Sequence, residues 1–344
     1  MKYGIAVVLK NEHDYINEFI GYHVELGFTH FYILIDNICD EQPEYKNYIH
    51  PKYIEYVQFF YVDKSFDPVF YEEKIIKHNS NTHMYWINFF NKKVLPIVKK
   101  EVDWIAVFGC DSFLYLDGQK IDQYIKNVSD DVTQIAFQWK YVFNFDNVKC
   151  DLLTQNLDKF YELCSGDHSY TMGNTSKINN LLGHSHCFDS KSDYQYILLH
   201  DTMMIKFIKA PSPYDIFCRA GYNTNMKNYA IHIMLRCYDE MIIKDYFSWK
   251  NVNIENKNIH DAIANCDINK FNKNTQAGRT NYLKYYGQLS KRITSNVTTH
   301  IGNCISKHNN KISHYKTLIK KLLDANNLSD EQYNKFIQCV INKK

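Results

Sequence analysis

The feature of this sequence that most constrains its fold is an alternation of strand-like and helix-like segments over the first 120 residues. Four apolar runs have the length and composition of buried strands: 3–9, 29–35, 54–61 and 103–108. Two segments carry the i, i+3, i+4 apolar spacing of amphipathic helices: 13–27 and 82–101. The order strand, helix, strand, strand, helix, strand predicts an α/β domain with a mostly parallel, Rossmann-like sheet.

Beyond this opening the pattern changes twice along the chain. Residues 133–139 predict a further strand, and residues 145–225 show a mixed pattern. From about residue 230 to the end the pattern is mainly helical, and Ser329–Gln332 has the S-x-x-Q spacing of a capping box. We therefore predict an α/β domain at 1–245 and a mainly helical C-terminal region at 246–344.

The charge balance disfavours several classes of partner. The chain has 40 Lys and Arg against 38 Asp and Glu, a net charge of +2, whereas nucleic-acid-binding and polybasic membrane-surface proteins are strongly basic.

No segment approaches the ~20 apolar residues of a membrane span, and the N-terminal apolar run is too short for a signal peptide. The ten cysteines form no C-x-x-C pair, which disfavours a zinc ribbon or a thioredoxin-type motif. In a chain of this length without a secretion signal, they indicate reduced thiols. We predict a cytoplasmic protein that binds no nucleic acid and has no membrane span.

Polar residues follow the predicted parallel strands, which is where open α/β sheets bind their ligands. After the first strand, Lys10, Asn11 and Glu12 can hold a nucleoside by its ribose or base, or they can form a solvated helix start. After the second strand, Asp36 and Asn37 can accept a base N–H, or they can form an Asx turn. Both interpretations remain open at each position.

A third carboxylate interrupts an apolar stretch at 103–116. Asp111 follows one predicted strand and precedes a second apolar run, 113–116. Such a carboxylate can present oxygen ligands to Mn²⁺ or Mg²⁺, and the cation in turn binds a diphosphate. A simple turn aspartate explains the pattern equally well.

Several blocks of the sequence resemble the opening of family-92-type glycosyltransferases, which are GT-A-fold enzymes with a family-2-like core. K-N-E at 10–12 precedes Y-I-x-E-F-I-x-Y-H at 15–23, and G-F-T-H-F-Y-I-L-I-D-N-x-x-D follows at 27–40. The family's W-I-A-x-x-D-x-D-E-F-L block and W-x-x-F-G motif correspond to 104–114 and 139–144. Weaker similarity continues in Lys177 with His184 or His186, and in a helix of the family that corresponds to 232–244.

This chain departs from the family at the acidic block. Gly109 and Ser112 stand where the family has Asp and Glu, while Asp111 keeps the position of the usual metal contact. The departure implies a looser donor site, a different donor, or a protein that no longer catalyses.

The resemblance implies transfer of a hexose from a nucleotide-sugar donor, such as UDP-galactose or UDP-glucose, to a glycan or glycoprotein acceptor. It implies Mn²⁺ or Mg²⁺ bound by Asp111, with a histidine as a further ligand and cationic neutralisation of the leaving diphosphate. The candidate histidines are His184 and His186. An inverting enzyme also needs a general base near the acceptor hydroxyl, and the candidates are Asp167, Asp189 and Asp201.

Aromatic residues are abundant, with 28 Tyr and 21 Phe. Because they are spread along the whole chain, the mutational bias of AT-rich codons explains most of them better than a stacking surface does. We do not apply this explanation to Trp139 and Tyr141, since they lie just past a predicted strand end. There they can stack on an acceptor sugar or pack into the core.

We therefore expect a metal-assisted GT-A glycosyltransferase that uses a UDP-sugar. The alternative is a catalytically weakened pseudo-enzyme that keeps the fold as a nucleotide- or glycan-binding module. A nucleotidyltransferase is disfavoured, because no Gly-rich basic loop follows the first strand. A homodimer remains open. The AT-rich composition favours a large DNA virus or an AT-rich protist as host, with the acceptor met in the cytosol, a virus factory or a virion.

Overall fold

The computed structural model of the chain describes residues 1–10, 12, 15–38, 44–76, 82–143, 161–182, 187–191, 195–199, 203–207, 227–235, 291–292, 329 and 331–332. The strands in this part are β1 Tyr3–Leu9, β2 His30–Asp36, β3 Val57–Val62, β4 Trp104–Gly109, β5 Ser112–Leu116, β6 Gln134–Phe143, β7 Tyr161–Asn174, β8 Ile178–Leu181, β9 Phe188–Ser190, β10 Gln195–Leu199, β11 Met203–Phe207, β12 Asn228–Leu235 and β13 Lys291–Arg292. The α-helices are α1 Ile16–Leu26, α2 Pro68–Phe70, α3 His83–Phe89, α4 Leu95–Glu101 and α5 Ile121–Ile125. Short 3₁₀ helices span Tyr45–Tyr48 and Pro51–Tyr56, and π-helical turns span Tyr71–Ile76 and Phe90–Val94.

The centre of the sheet is parallel, as the alternation of strands and helices predicts. Strands β3, β2, β1 and β4 lie side by side in that order, and each neighbouring pair is parallel. Strand β7 joins β4 in the antiparallel sense, and the outer strands include the parallel pair β6–β10 and the antiparallel pair β10–β11. Strands β5 and β12 form a further antiparallel pair, and β8 and β9 form a separate two-stranded sheet. The result is a mixed sheet with a parallel centre.

Apolar side chains cover both faces of the parallel centre. On one face, α1 packs Phe19 against Phe31 of β2 and His23 against Phe108 of β4, with ring centroids 6.5 Å and 5.7 Å apart. On the other face, Ala6 of β1 lies in a buried cluster with Val94 and Val98 from the 83–101 helical segment. Strands covered on two sides read as continuous apolar runs, which is why the sequence identifies β1, β2 and β4.

The predicted helix at 82–101 is confirmed, with a wider turn inside it. Helices α3 and α4 are joined by the π-helical turn at Phe90–Val94, which ends two residues before Pro96. Proline has no N–H to donate and its ring clashes with the carbonyl four residues earlier. The wider turn accommodates this local disruption without ending the helix.

Two expectations about segment type need correction. The predicted strand at 54–61 begins only at Val57, because Pro51–Tyr56 forms a 3₁₀ helix that Pro51 favours through its fixed φ. The predicted helical pattern from residue 230 is wrong at its start, where Asn228–Leu235 is the strand β12. A short apolar run such as Tyr229–Leu235 cannot be assigned to helix or strand by periodicity alone, and pairing with β5 decides it.

The chain divides into two compact units, one of residues 1–141, 165–233 and 294–306, and one of residues 142–164, 234–293 and 307–344. The predicted boundary at 245, the helical C-terminal region and the homodimer stay predictions. The capping box is confirmed, because the Gln332 N–H donates to Ser329 Oγ at 3.2 Å and the Ser329 N–H donates to Gln332 Oε1 at 2.8 Å. Among the described residues no helix has the length and apolar character needed to cross a membrane.

The end of α1 offers a test of the local backbone. Gly27 has φ 105°, and a Cβ there would lie 3.1 Å from Ile121 Cγ2. We expect Gly27→Ala to lower the free energy of unfolding by about 1–2 kcal/mol, the usual cost of a left-handed conformation for a residue with a side chain. Urea denaturation measures this. Gly118→Ala is the control, since Gly118 also has positive φ but no neighbour within 4 Å of its Cβ. The close approach to Ile121 should make the loss at Gly27 larger than the loss at Gly118; an equal or smaller loss would contradict this steric contribution.

Candidate functional site

The candidate site lies at the carboxyl ends of β1 and β4. These strands are parallel neighbours, with Val8 opposite Gly109, so the segments that follow them leave the sheet side by side. Lys10 and Glu12 follow β1, and Asp111 follows β4. The structure therefore places the predicted residues that follow β1 beside the predicted residue that follows β4. Asn11 lies outside the described residues.

Strand β12 delivers a histidine to this edge of the sheet. It pairs with β5 so that His232 stands directly opposite Ser112. The Ile233 N–H also donates to the Asp111 carbonyl at 2.8 Å, which ties the turn between β4 and β5 to β12. Asp111 and His232 are thus held by the same strand pair.

Four polar side chains meet at this point, and we call Asp111, Ser112, Tyr170 and His232 the polar cluster. The Ser112 hydroxyl oxygen lies 2.8 Å from the Tyr170 hydroxyl, 2.8 Å from His232 Nδ1 and 3.2 Å from Asp111 Oδ1. His232 Nδ1 lies 3.4 Å from both Asp111 Oδ1 and the Tyr170 hydroxyl. A serine hydroxyl has one proton and two lone pairs, so these three contacts use its full hydrogen-bonding capacity.

The polar cluster is not a nucleophilic triad, although it contains a serine, a histidine and an aspartate. A triad places the serine on one imidazole nitrogen and the aspartate on the other. Here Ser112 and Asp111 both lie against Nδ1 of His232. Ser112 is also only 1% exposed. The arrangement is therefore suited to orienting a carboxylate and an imidazole for a ligand rather than to attack by the serine.

Tyr170 is a neutral member of the polar cluster. Burial raises its pKa well above the usual value for tyrosine, and the negative charges of Asp111 and Glu12 raise it further. Hydrogen bonds with Ser112 and with the Gly109 backbone act in the opposite direction; their effects are smaller than those of burial and Asp111, and the effect of Glu12 is the smallest.

The absence of a side chain at Gly109 makes room for the Asp111 carboxylate and the Tyr170 hydroxyl. A Cβ at this position would lie 2.6 Å from Asp111 Oδ1 and 3.0 Å from the Tyr170 hydroxyl. Distances this short are rare for real side chains, so any larger residue would displace the carboxylate or the tyrosine. The departure from the family's acidic block at Gly109 is therefore coupled to the presence of Tyr170.

Trp139 forms one wall of the site. Its ring centroid lies 4.4 Å from that of His232 and 4.8 Å from that of Tyr170, and 8% of the residue is exposed. Little of Trp139 is therefore accessible to an acceptor sugar. Tyr141 belongs to β6, but the structure describes its backbone alone.

Asp36 lies at the carboxyl end of β2 and is engaged by the protein itself. Its Oδ1 accepts the Ile38 N–H at 3.1 Å, which is the geometry of an Asx turn, and its Oδ2 accepts the Thr82 hydroxyl at 2.8 Å. The Asn37 N–H donates to the Val62 carbonyl at 2.9 Å. A carboxylate oxygen has two lone pairs, so these contacts leave acceptor capacity at Asp36.

The three candidate bases have different positions. Strand β7 runs antiparallel to β4, with Thr171 opposite Val107, so the earlier residues of β7 continue past the carboxyl end of β4. The backbone of Asp167 therefore lies at the same end of the sheet as Asp111. Asp201, like His184 and His186, lies outside the described residues.

Asp189 lies at the opposite end of the sheet. Its neighbour Phe188 donates its N–H to Gln134 Oε1 at 2.9 Å, at the start of β6. The start of β6 adjoins the end of β7, because the Asn174 N–H donates to the carbonyl of residue 133 at 2.9 Å. Asn174 pairs in turn with Trp104 at the start of β4. The structure thus separates Asp189 from Asp111 by the length of β4.

The polar cluster supplies two candidate ligands for a divalent cation. Within the described part of the chain, no group of three or more His, Cys, Asp and Glu side chains could hold a metal ion. Asp111 Oδ1 and His232 Nδ1, however, lie 3.4 Å apart, which is close to the ~3 Å that separates adjacent oxygen or nitrogen ligands of an octahedral cation. Magnesium sites commonly combine one or two protein ligands with substrate phosphates and water. Two protein ligands therefore fit a cation that arrives with a diphosphate.

Three residues of the polar cluster were not predicted as site residues: Ser112, Tyr170 and His232. His232 is a lone histidine inside the apolar run Tyr229–Leu235, and Ser112 is a lone polar residue at the start of another such run. For His232 and Ser112, the sequence signal of a site residue is therefore a single polar residue inside an apolar, strand-like run. Tyr170 gave no comparable signal, because its position depends on the pairing of β7 with β4.

Comparison with known proteins gives little. No protein-family profile and no curated protein matches the chain, so the family-92 resemblance stays an expectation from the sequence. Two crystal structures of S. aureus TarS 1-349, one in complex with UDP, are 10% identical over 100% of this chain and 92% of their own, with TM-scores of 0.30 and 0.31. A third S. aureus TarS structure is 11% identical over 93% of this chain and 55% of its own, with a TM-score of 0.25. At such identities and scores the likeness establishes no function.

Proposed function

We propose that the chain binds a nucleoside-diphosphate sugar at the polar cluster and transfers the sugar with the help of a divalent cation. The observation that carries this proposal is the position of the Asp111–His232 pair, 3.4 Å apart at the carboxyl end of a central parallel strand. Ligands of open α/β sheets bind at this edge. The donor proposed from the sequence resemblance is a UDP-hexose, and the acceptor is a glycan or a glycoprotein.

Charge is the reason for including a cation. A diphosphate placed here would meet the carboxylates of Glu12 and Asp111, both of which act on Tyr170. Mn²⁺ or Mg²⁺ held by Asp111 and His232 would offset this repulsion, and when bound it would supply Lewis-acid assistance to the departing diphosphate. His232 would take the place that the sequence analysis gives to His184 or His186, which stay predictions.

The other roles follow from the strand ends. Lys10, Asn11 and Glu12 would hold the ribose, and Asp36 and Asn37 would contact the base, using the acceptor capacity that the Asx turn leaves. Asp167 is preferred as general base, because its backbone lies at the correct end of the sheet. Asp201 stays a candidate from the sequence. Trp139 and Tyr141 would contact the acceptor, Trp139 through the small part of the residue that is exposed.

A second candidate function has its own support. The contacts of Ser112 use its full hydrogen-bonding capacity, and a site that is already satisfied needs no catalytic role to explain it. The chain would then be a nucleotide- or glycan-binding module without turnover. The two functions differ in hydrolysis or transfer of a UDP-sugar, which only the enzyme performs.

The experiment measures UDP affinity by calorimetry and UDP-sugar hydrolysis, each with and without Mn²⁺. We expect Mn²⁺ to strengthen UDP binding, and we expect Asp111→Asn to weaken it about 10- to 100-fold, the range for losing a charged partner in a hydrogen-bonded contact. Asp189→Asn is the matched control, since Asp189 lies at the far end of the sheet, and it should leave affinity unchanged. Binding without turnover for any UDP-sugar would favour the module. Failure of the wild-type protein to bind UDP would overturn both the enzyme and the nucleotide-binding module.

A further inference from the structure

The Tyr170 hydroxyl occupies a place that depends on the absence of a side chain at Gly109. It lies 3.0 Å from the position of a Cβ on Gly109 and 2.8 Å from Ser112 Oγ. Tyr170 comes from β7, whereas Gly109 and Ser112 flank Asp111 on both sides. Tyr170, which is distant in sequence, therefore contacts the 109–112 segment, which carries the proposed cation ligand Asp111.

The ring of Tyr170 is fixed by its neighbours. Its centroid lies 5.0 Å from that of Phe108 at an interplanar angle of 74°, and 4.8 Å from that of Trp139. Aromatic pairs at such distances favour tilted and edge-to-face arrangements. The hydroxyl is therefore held in one position at the end of a packed ring, without the freedom of an exposed tyrosine.

That fixed hydroxyl restrains both members of the Asp111–His232 pair. It contacts His232 Nδ1 at 3.4 Å, and it reaches Asp111 through Ser112, whose oxygen lies 3.2 Å from Asp111 Oδ1. The imidazole also lies against Trp139, 4.4 Å between centroids. Removing the hydroxyl would leave the ring of His232 and the carboxylate of Asp111 with fewer restraints while keeping the aromatic packing.

We propose that Tyr170 is a positioning residue, whose hydroxyl, together with Ser112, sets the orientation of the His232 ring and the Asp111 carboxylate for ligand binding. The identity of the ligand, a nucleoside diphosphate with a divalent cation, rests on the proposed function. The orienting role does not, because it concerns contacts within the protein. Both hydroxyls contact Nδ1, the nitrogen that a cation would take, so they orient the ring before binding and give up this contact when the cation arrives. Residues that orient ligating side chains typically change affinity 10- to 100-fold when removed.

The test compares Tyr170→Phe with Tyr22→Phe. Tyr22 is the matched control, because its ring is also fully buried and its hydroxyl donates to the Leu114 carbonyl at 2.6 Å, outside the polar cluster. Two quantities are measured for each variant: the affinity for UDP with Mn²⁺, and the ring-nitrogen chemical shifts of His232 by NMR on histidine-labelled protein. His232→Gln assigns the NMR signals by their disappearance.

We expect Tyr170→Phe to weaken UDP–Mn²⁺ binding at least about tenfold and to change the ring-nitrogen shifts of His232, while Tyr22→Phe changes neither. If Tyr170→Phe does not fold, Ser112→Ala replaces it and should change the same two quantities. Unchanged His232 shifts in the folded variant would overturn the positioning role whatever the affinity. If the wild-type protein binds no UDP, the proposed function fails, and the NMR comparison alone decides the role of Tyr170.

Discussion

Gly109→Asp is expected to weaken UDP–Mn²⁺ binding by about 10- to 100-fold, the range typical of disturbing the groups that orient metal ligands. The substitution restores an acidic residue that the resembled family has at this position, so resemblance alone would predict tighter binding. The structure predicts the opposite, because the first carbon of the new side chain would meet Asp111 Oδ1 at 2.6 Å. The added carboxylate would also face Asp111 in a site with little solvent, where like charges repel strongly.

The same substitution should destabilise the fold, by about 1–3 kcal/mol as for other overpacked sites. Gly173→Ala is the control for this effect. Its Cβ would lie 2.8 Å from Phe188 Cδ2 and 2.9 Å from Ile178 Cγ2, at the end of the sheet away from Asp111. We expect both variants to lower the urea midpoint and only Gly109→Asp to lower UDP affinity. Affinity equal to or higher than that of the wild-type protein would show that an acidic residue fits and would contradict the coupling of Gly109 to Tyr170.

The parallel centre of the fold could be predicted from the sequence because its signals are local. Strands β1, β2 and β4 are covered on both faces and therefore appear as uninterrupted apolar runs. The end of α1 was equally visible, since Gly27 is the residue best able to adopt φ 105°. Once the strands are placed, the rule that ligands bind at their carboxyl ends selects Glu12, Asp36 and Asp111.

The composition of the polar cluster could not be predicted in the same way. Tyr170 reaches Asp111 only because β7 pairs with β4, and His232 reaches Ser112 only because β12 pairs with β5. Both pairings join segments that are far apart in the chain, and the register of a strand pair is set by packing on its faces rather than by local preference. Because local patterns do not reveal such pairings, the sequence alone assigns the β12 segment to the start of a helical region.

Ligand binding at the polar cluster requires that one of its internal hydrogen bonds be broken. A ligand that takes Nδ1 of His232 must replace its contact with Ser112 at 2.8 Å. A divalent cation between Asp111 and His232 could do so, because ligation replaces a neutral hydrogen bond with a charged contact. A ligand that approaches without a cation has no such compensation. Dependence of UDP binding on Mn²⁺ would therefore support a cation between Asp111 and His232, whereas turnover of a UDP-sugar separates the enzyme from the module.

His23 gives the fold a weakness in acid. The side chain is fully buried in α1 among aromatic rings, and burial lowers its pKa to about 3 despite a hydrogen bond with the Phe19 carbonyl, which acts in the opposite direction. In the unfolded chain a histidine titrates near its ordinary pKa of ~6.5. Between these two values the unfolded state binds a proton that the folded state does not. The free energy of unfolding must therefore fall as the pH falls through this window, by about 1.4 kcal/mol per pH unit.

His23→Phe should remove this dependence. At neutral pH we expect the variant to be less stable than the wild-type protein by about 1–3 kcal/mol, because the Leu114 N–H, 3.4 Å from His23 Nε2, loses its acceptor. As the pH falls below ~6.5, the deficit should shrink by about 1.4 kcal/mol per unit and then reverse. Urea denaturation at a series of pH values measures the difference, in which the other titrating groups cancel.

Phe28→Leu is the control for the His23 experiment. Phe28 is fully buried and its ring centroid lies 5.8 Å from that of His23, so the variant loosens the same packing but leaves the histidine in place. Its deficit should stay nearly constant with pH, because no titrating group is removed. A deficit for His23→Phe that also stays constant would mean that His23 takes up its proton in the folded state near the ordinary pKa. The histidine would then have to reach solvent, and α1 would not seal this face of the sheet.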